Sequence, residues 1–410
     1  MTVTVDTTGI RGDPVPGSAP SLLASPRSDL AERVAAVLPV IRDEARRIDE
    51  RATFPARNLA ALREAGLLGL LVPAGYGGLG GGLRDMVAVA ASLAAECLST
   101  AMIWTMHGQQ VAAIVAHGSP GLRERLLPRI ARGEVYIASV TSEKRKGGHL
   151  LTAQAPLRRD GGKLQIDREA PIVTGGQDAD GFLITMRDSP SAPDHAVSLV
   201  YADRADLSTT TSGSWNPMGM RGTHSIAMQI TGQVDEDSLV GAPGGFRTVA
   251  VSVFAPVGHL GWAACWLGAA QAATRGVLQL LRSPAGRAQF DLRSDLLRTR
   301  LARIRLDLDT MAALLAQCLR DIERAPDLEA PPVQLRINGL KILAAERSYA
   351  VIDALIEMTG LRHGYLRDAP LGLERALRDL RSASLNYAND RLVLANGALA
   401  LIDRGVSLAC

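Results

Sequence analysis

Lysine is nearly missing from this 410-residue chain: four of its 45 basic residues are lysine and the rest arginine, an imbalance that reads as codon bias before it reads as function. With 42 acidic residues the formal net charge is only +3, and no basic patch gathers, so neither a nucleic-acid nor a membrane-surface partner is indicated. Cysteine is equally scarce. Cys97, Cys265, Cys318 and Cys410 share no CxxC or Cys/His spacing, so no metal site and no disulfide framework is signalled, and a reducing cytoplasm is the expected location. The N-terminus lacks the basic-then-apolar order of an export signal; residues 1–27, rich in Thr, Gly, Pro and Ser, read as a mobile arm. Charge is also absent between Arg247 and Arg275. That is long enough for a membrane span, yet Pro256, His259, Gln271 and several glycines interrupt it and predict a buried core helix instead.

What is present is the composition of a folded globular chain, 47% hydrophobic and 21% charged, long enough for two or three domains. From residue 28 to about 134, apolar residues recur at three- and four-residue spacing and predict an all-helical first domain. Near Tyr136 the period changes to two. The runs SVT, LLTAQAPL, KLQIDREAPIVT, FLITMR, AVSLVYA and AMQITGQV predict strands of a small β domain over 135–243, with Arg159-Asp160-Gly161-Gly162 as an Asp-Gly hairpin turn. Helical periodicity then returns in four stretches, roughly 246–282, 287–324, 333–359 and 370–403, which predict a C-terminal four-helix bundle over 244–410. The expected fold class is therefore α+β.

Five stretches go further than pattern. Phe54-Pro55 is followed by LREAGLLGLLVPAGYGGLG, whose glycines mark a turn needing positive φ. SVT at 139–141 and IVTGG at 172–176 are strand ends. PMGMRGTHS at 217–225 closes the β region, Arg287-Ala-Gln-Phe290 opens a helical stretch, and GLRHGYLRDAPLGLERALRDLR fills 360–381. Together with the order helices, small β domain, four-helix bundle, these resemble the acyl-CoA dehydrogenase superfamily of flavoproteins over nearly the whole chain after residue 28.

The resemblance implies an FAD cofactor and an assembly of two or four copies. It places Val140, Thr141, Val173 and Thr174 against the pyrimidine edge of the flavin, where backbone N–H groups and hydroxyls stabilise negative charge on the reduced ring. It assigns Arg287 and Phe290 to the family's Arg-x-x-Phe motif, whose arginine pairs with the FAD pyrophosphate across a subunit interface, a task its planar fork suits. Gly360 and Gly364 would let backbone approach the diphosphate, and Asn389 completes the cofactor set. Three departures stand out. The loop from Glu143 to His149 carries Lys144, Arg145 and Lys146 where the family has none of these charges, Ile172 replaces a tryptophan, and Asp291 replaces a glycine. The charge run reads equally as a solvated face or as a contact for an anionic substrate.

The deciding departure concerns the base. Family dehydrogenases take a proton from the carbon beside a thioester carbonyl with a glutamate, usually nine residues after the arginine of Arg-Asp. Counting from Arg378 reaches Tyr387, and the alternative family position, on the first bundle helix, maps near Gly258 beside His259. Tyr387 reads either as an atypical base or as a packed aromatic, and His259 as a base or a satisfied core histidine. Three functions remain: dehydrogenation of a CoA- or carrier-protein-linked acyl group with an atypical base, passing electrons to an electron-transfer flavoprotein; monooxygenation using reduced flavin from a reductase; or a non-catalytic FAD-binding subunit. The retained arginine and glycines rank the first ahead. Trp104, His107, Trp262 and Trp266 are candidate cavity residues, equally explained by core packing.

Overall fold

A computed structural model describes residues 27–144 and 149–403. The expected arm, the loop residues 145–148 and Cys410 lie outside the described residues, apart from Arg27. The first region is five helices: α1 (Ser28–Arg51), α2 (Ala56–Glu64), α3 (Leu83–Glu96), α4 (Leu98–His117) and α5 (Pro120–Ala131). Helix α1 buries Leu30, Val34, Val37, Ile41, Ala45 and Ile48, one stripe at helical spacing, while α4 is buried almost all round. In the glycine-rich turn after α2, Gly77 and Gly80 adopt positive φ as expected.

Seven strands follow, β1 (Ile137–Val140), β2 (Arg158–Asp160), β3 (Lys163–Val173), β4 (Gly181–Arg187), β5 (Val197–Asp203), β6 (Leu207–Ser212) and β7 (Ile226–Asp235). They form two sheets, β1-β4-β5 with β1 parallel to β4, and an antiparallel β2-β3-β7-β6. The Asp-Gly hairpin is as expected, pairing Asp160 with Lys163 across Gly161 and Gly162 at positive φ. Residues 150–157 are not the expected strand. The N–H groups of Gln154 and Ala155 are taken by the Glu143 carboxylate, each at 3.0 Å, and Pro156 has no N–H to give a ladder. Strand β6, whose sequence LSTTTS is polar and mostly exposed, carries too little apolar alternation to be seen in advance.

After α6 (Phe246–Val249) and a π turn at Ala250–Phe254 come α7 (Ala255–Arg282), α8 (Pro284–Gln289), α9 (Asp295–Arg324), α10 (Pro331–Gly360), α11 (Leu373–Arg381) and α12 (Asn389–Ile402). Ser283 and Ser294 cap α8 and α9 through their hydroxyls. The charge-poor segment is the hub of the molecule, with α7 packed on α3, α4, α9 and α10. Phe246–Arg282 is long and apolar enough to cross a membrane, and 78% of its most apolar window is buried inside the protein. The expected fourth bundle helix is two helices, α11 and α12, separated by a turn at 382–388. That break carries Tyr387.

Candidate functional site

The π turn and Pro256 start α7 so that His259 and Trp262, one helical turn apart, lie on one face of it. The break between α11 and α12 brings Tyr387 to the same place. Ring centroids are 5.7 Å apart for His259 and Trp262, 5.9 Å for His259 and Tyr387, and 6.5 Å for Trp262 and Tyr387. His259 and Tyr387, over a hundred residues apart in sequence, therefore meet. Tyr387 stands at φ 57, a conformation that a bulky residue holds only when its surroundings enforce it. Neither the His259 Nδ1 nor the Trp262 Nε1 has a hydrogen-bond partner among the described residues, although both atoms are buried.

Electrostatics at this cluster oppose proton abstraction. Burial, reinforced by the positive charge of Lys341, pushes the His259 imidazole down to about 3, so it is neutral but a weak base. Burial pushes the Tyr387 phenol up to about 12. No carboxylate contributes to either shift. Position 258 is a glycine and carries no carboxylate, and a side chain there would have to displace the Gln109 amide, which donates to the Phe254 carbonyl at 2.5 Å.

The strand-end residues are joined by short polar links. Ser142 Oγ donates to the Ile172 carbonyl at 2.8 Å, tying the end of β1 to the end of β3, where a register shift between Ala170 and Val173 turns the chain outward. Thr174 Oγ1 shares a hydrogen bond with Ser225 Oγ at 3.0 Å, and Ser225 with Thr223 at 2.9 Å. Val140 and Val173 are buried, Thr141 and Thr174 half-buried, and Ile172 is 53% exposed. Glu143 is buried against Arg168, whose guanidinium burial lowers to about 9, so this acid is a structural ion pair. Lys144 pairs on the surface with Glu169. Arg145 and Lys146 lie outside the described residues.

A second locus forms at the far end of the bundle. His363, in the π turn Leu361–Tyr365 after α10, donates from Nε2 to Gln289 Oε1 at 2.8 Å and meets the Phe290 ring in a tilted contact at 6.0 Å. The Arg287–Phe290 and Gly360–Gly364 motifs, about seventy residues apart, are thereby adjacent. Gly360 has φ +67 with open space where a Cβ would project, and Gly364 has room for none because Thr359 and Ile356 press on it. Arg287 is exposed and has no carboxylate partner among the described residues. Asn389 is elsewhere: it accepts from Lys341 at 2.7 Å and donates to Glu346 at 3.2 Å.

Of the four expected cavity residues, Trp104 and His107 are hydrogen-bonded in the core and Trp266 packs there. Trp104 donates to the Leu67 carbonyl at 2.9 Å, and His107 bridges the Leu68 carbonyl and the Ile137 N–H, both at 3.1 Å. Trp266 is buried beneath Lys341, 5.6 Å from its ring. The buried indole N–H of Trp262 has no partner among the described residues.

The family model described as acyl-CoA dehydrogenase, N-terminal domain, matches residues 29–134, and that for the acyl-CoA dehydrogenase C-terminal domain matches 245–386. The chain is 27% identical over 380 residues to cyclohex-1-ene-1-carbonyl-CoA dehydrogenase of Geobacter metallireducens, covering 88% of this chain and 96% of that one. It is 26% identical over 349 residues to dibenzothiophene monooxygenase of Rhodococcus erythropolis, covering 79% and 82%. The crystal structure of FMN-bound TdsC from Paenibacillus sp. A11-2 superposes with a TM-score of 0.80 at 21% identity, over 93% of this chain and 98% of that chain, a likeness of fold.

Proposed function

Since the chain belongs to the acyl-CoA dehydrogenase family, the open question is which of that family's chemistries it runs, and we propose a monooxygenase that takes reduced flavin from a separate reductase. The protein is a flavin-dependent oxidoreductase with FAD as its cofactor. The observation that carries the finer reading is the site's want of a usable base: position 258 is a glycine, and the groups beside it titrate near 3 and near 12. A general base works best with a pKa near the working pH, and neither group has one.

The donor set fits a flavin. Thr174 and the exposed Ile172 offer a hydroxyl and an apolar surface to a flat ring system, while the exposed Arg287 and the open Gly360 offer a guanidinium and bare backbone to a diphosphate. Among the described residues no hydrogen bond or ring contact joins these two half-sites, which agrees with a cofactor shared between copies of the chain. Bound and reduced, the flavin would supply two electrons to dioxygen, one oxygen atom entering the substrate and the other leaving as water. The chain's own part is positioning. The rings of Trp262 and Tyr387 give a compact, largely apolar wall, and the neutral His259 offers Nδ1 to a substrate polar group without adding charge.

The second reading, acyl-thioester dehydrogenation, is favoured by Arg287 and Gly360, a clamp for tightly held FAD, and by the cyclohexene-carbonyl-CoA dehydrogenase relative. Anaerobic mixing separates the two. Under the first reading, cyclohex-1-ene-1-carbonyl-CoA leaves the flavin oxidised, while a flavin reductase with NADH and oxygen produces an oxygenated product from a probe such as dibenzothiophene or indole. Direct bleaching by the thioester without reductase would overturn it. A further expected result concerns the cofactor: Arg287→Ala weakens FAD retention roughly ten- to a hundredfold, the effect of losing a charge-assisted phosphate contact. Equal FAD dissociation constants, measured by flavin fluorescence, would remove Arg287 from the site.

A further inference from the structure

Of the chain's four lysines, Lys144 and Lys163 are exposed in the β region, whereas Lys341 on α10 is completely buried. In a chain that uses arginine nearly everywhere, a buried lysine needs a reason. Its Nζ donates to the Ala383 carbonyl at 3.1 Å, the Tyr387 carbonyl at 3.3 Å and Asn389 Oδ1 at 2.7 Å, so its three protons meet three acceptors. All three belong to the break between α11 and α12 or its immediate flanks. Ala383 follows the last turn of α11, where carbonyls are left over and a cation complements the helix dipole. Arginine could not replace it, because a planar fork cannot converge on three acceptors around one point in a closed site.

We propose that Lys341 is the positioning residue of the site, its ammonium fastening the break between α11 and α12 so that Tyr387 is held in its left-handed backbone against His259 and Trp262. The proposal goes beyond the choice of reaction, because Tyr387 forms the wall of the site under either one. The fastening is charge-dependent. A neutral amine keeps two protons, so one of the three acceptors goes unpaired once the ammonium is lost. The charged and titratable groups facing it are His259 from α7, Tyr387 from the break, Glu346 of its own helix reached through Asn389, and Arg391 of α12 beside Tyr387. Burial lowers the ammonium to about 8, whereas His259 titrates near 3 and Tyr387 near 12, so between pH 7 and 9 Lys341 is the group of this cluster that changes charge.

The test replaces Tyr387 with 4-fluorophenylalanine in the full chain, a fluorine reporter with no titrating group of its own, and follows its ¹⁹F resonance. The resonance is expected to shift with a midpoint near pH 8 in the otherwise unaltered protein. In the Lys341→Met background it should be displaced already at pH 7 and flat to pH 9, and Lys341→Arg, which keeps the charge without the convergence, should be displaced in the same way. A flat resonance in the parent, the same step in Lys341→Met, or a parent-like resonance in Lys341→Arg would overturn the proposal. Should the lysine variants not fold, Asn389→Ala decides: it keeps the ammonium and removes one acceptor, and an unshifted resonance at pH 7 would count against the fastening. None of these readouts requires turnover or bound flavin, so a failed oxygenase assay leaves them standing.

Discussion

Arg378→Ala is expected to destabilise the protein by about 3 to 5 kcal/mol, the range for breaking a largely buried ion pair and leaving its partner uncompensated. Arg378 grips Asp49 of α1 with two hydrogen bonds at 2.9 and 2.6 Å, holds Glu374 one turn back at 2.8 and 3.1 Å, and donates to the Met218 carbonyl at 3.0 Å. One side chain thus links the first helix, the end of the β region and the bundle. Asp49 is only 10% exposed, so water cannot replace the guanidinium. Asp379 completes the joint by accepting from the Met220 N–H at 2.5 Å, and burial raises its carboxyl to about 6. Gly219 is required between them, since a Cβ there would run into the Arg378 carbonyl. Chemical denaturation should show the loss, with Arg46→Ala as the control. Its pair with Glu50 is exposed on α1, and such a pair is worth roughly 0 to 1 kcal/mol. A loss below about 1 kcal/mol in Arg378→Ala would mean that the joint closes without its central ion pair.

This joint also shows what the sequence could disclose. PMGMRGTHS and the Arg-Asp pair at 378–379 are two of the stretches that mark the family, and they pack on each other as a seam between the end of the β region and α11. Their likeness therefore identified the fold, which rests on such seams, and left the chemistry open. Tyr387 and His259 were singled out only by the family resemblance, whereas the helices and the hairpin turn were legible because they follow from periodicity and turn residues. The break in the last helix was not, because residues 370–403 keep helical spacing and the ammonium that takes the carbonyls of Ala383 and Tyr387 comes from another helix. The expected strand at 150–157 failed for a related reason: its N–H groups go to the Glu143 carboxylate, a contact no local pattern announces. One signal was visible and unused. A lysine within an apolar helix of an arginine-rich chain could have pointed to Lys341.

Tyr387→Glu is expected to create acyl-thioester dehydrogenation in a protein that otherwise lacks it, raising the rate of anaerobic flavin bleaching by roughly 10²- to 10⁴-fold, the contribution of a positioned general base. The carboxylate would enter beside His259 and Trp262, where desolvation favours its neutral form and moves its pKa up from the ordinary range toward neutrality. The Lys341 ammonium, bonded to the backbone carbonyl of the same residue, would pull the other way and keep it from remaining protonated at pH 7. Tyr387→Phe supplies the opposite control. It keeps the ring and removes the only ionisable atom, so a protein in which Tyr387 packs and does not take protons should change little, whereas a dehydrogenase using the phenolate should lose most of its reductive half-reaction. Across a panel of acyl-CoA thioesters, bleaching confined to Tyr387→Glu supports oxygenation as the native chemistry. Bleaching in the unaltered protein, lost in Tyr387→Phe, would instead make this a dehydrogenase with a tyrosine base, and its phenol would have to titrate far below 12 when substrate is bound.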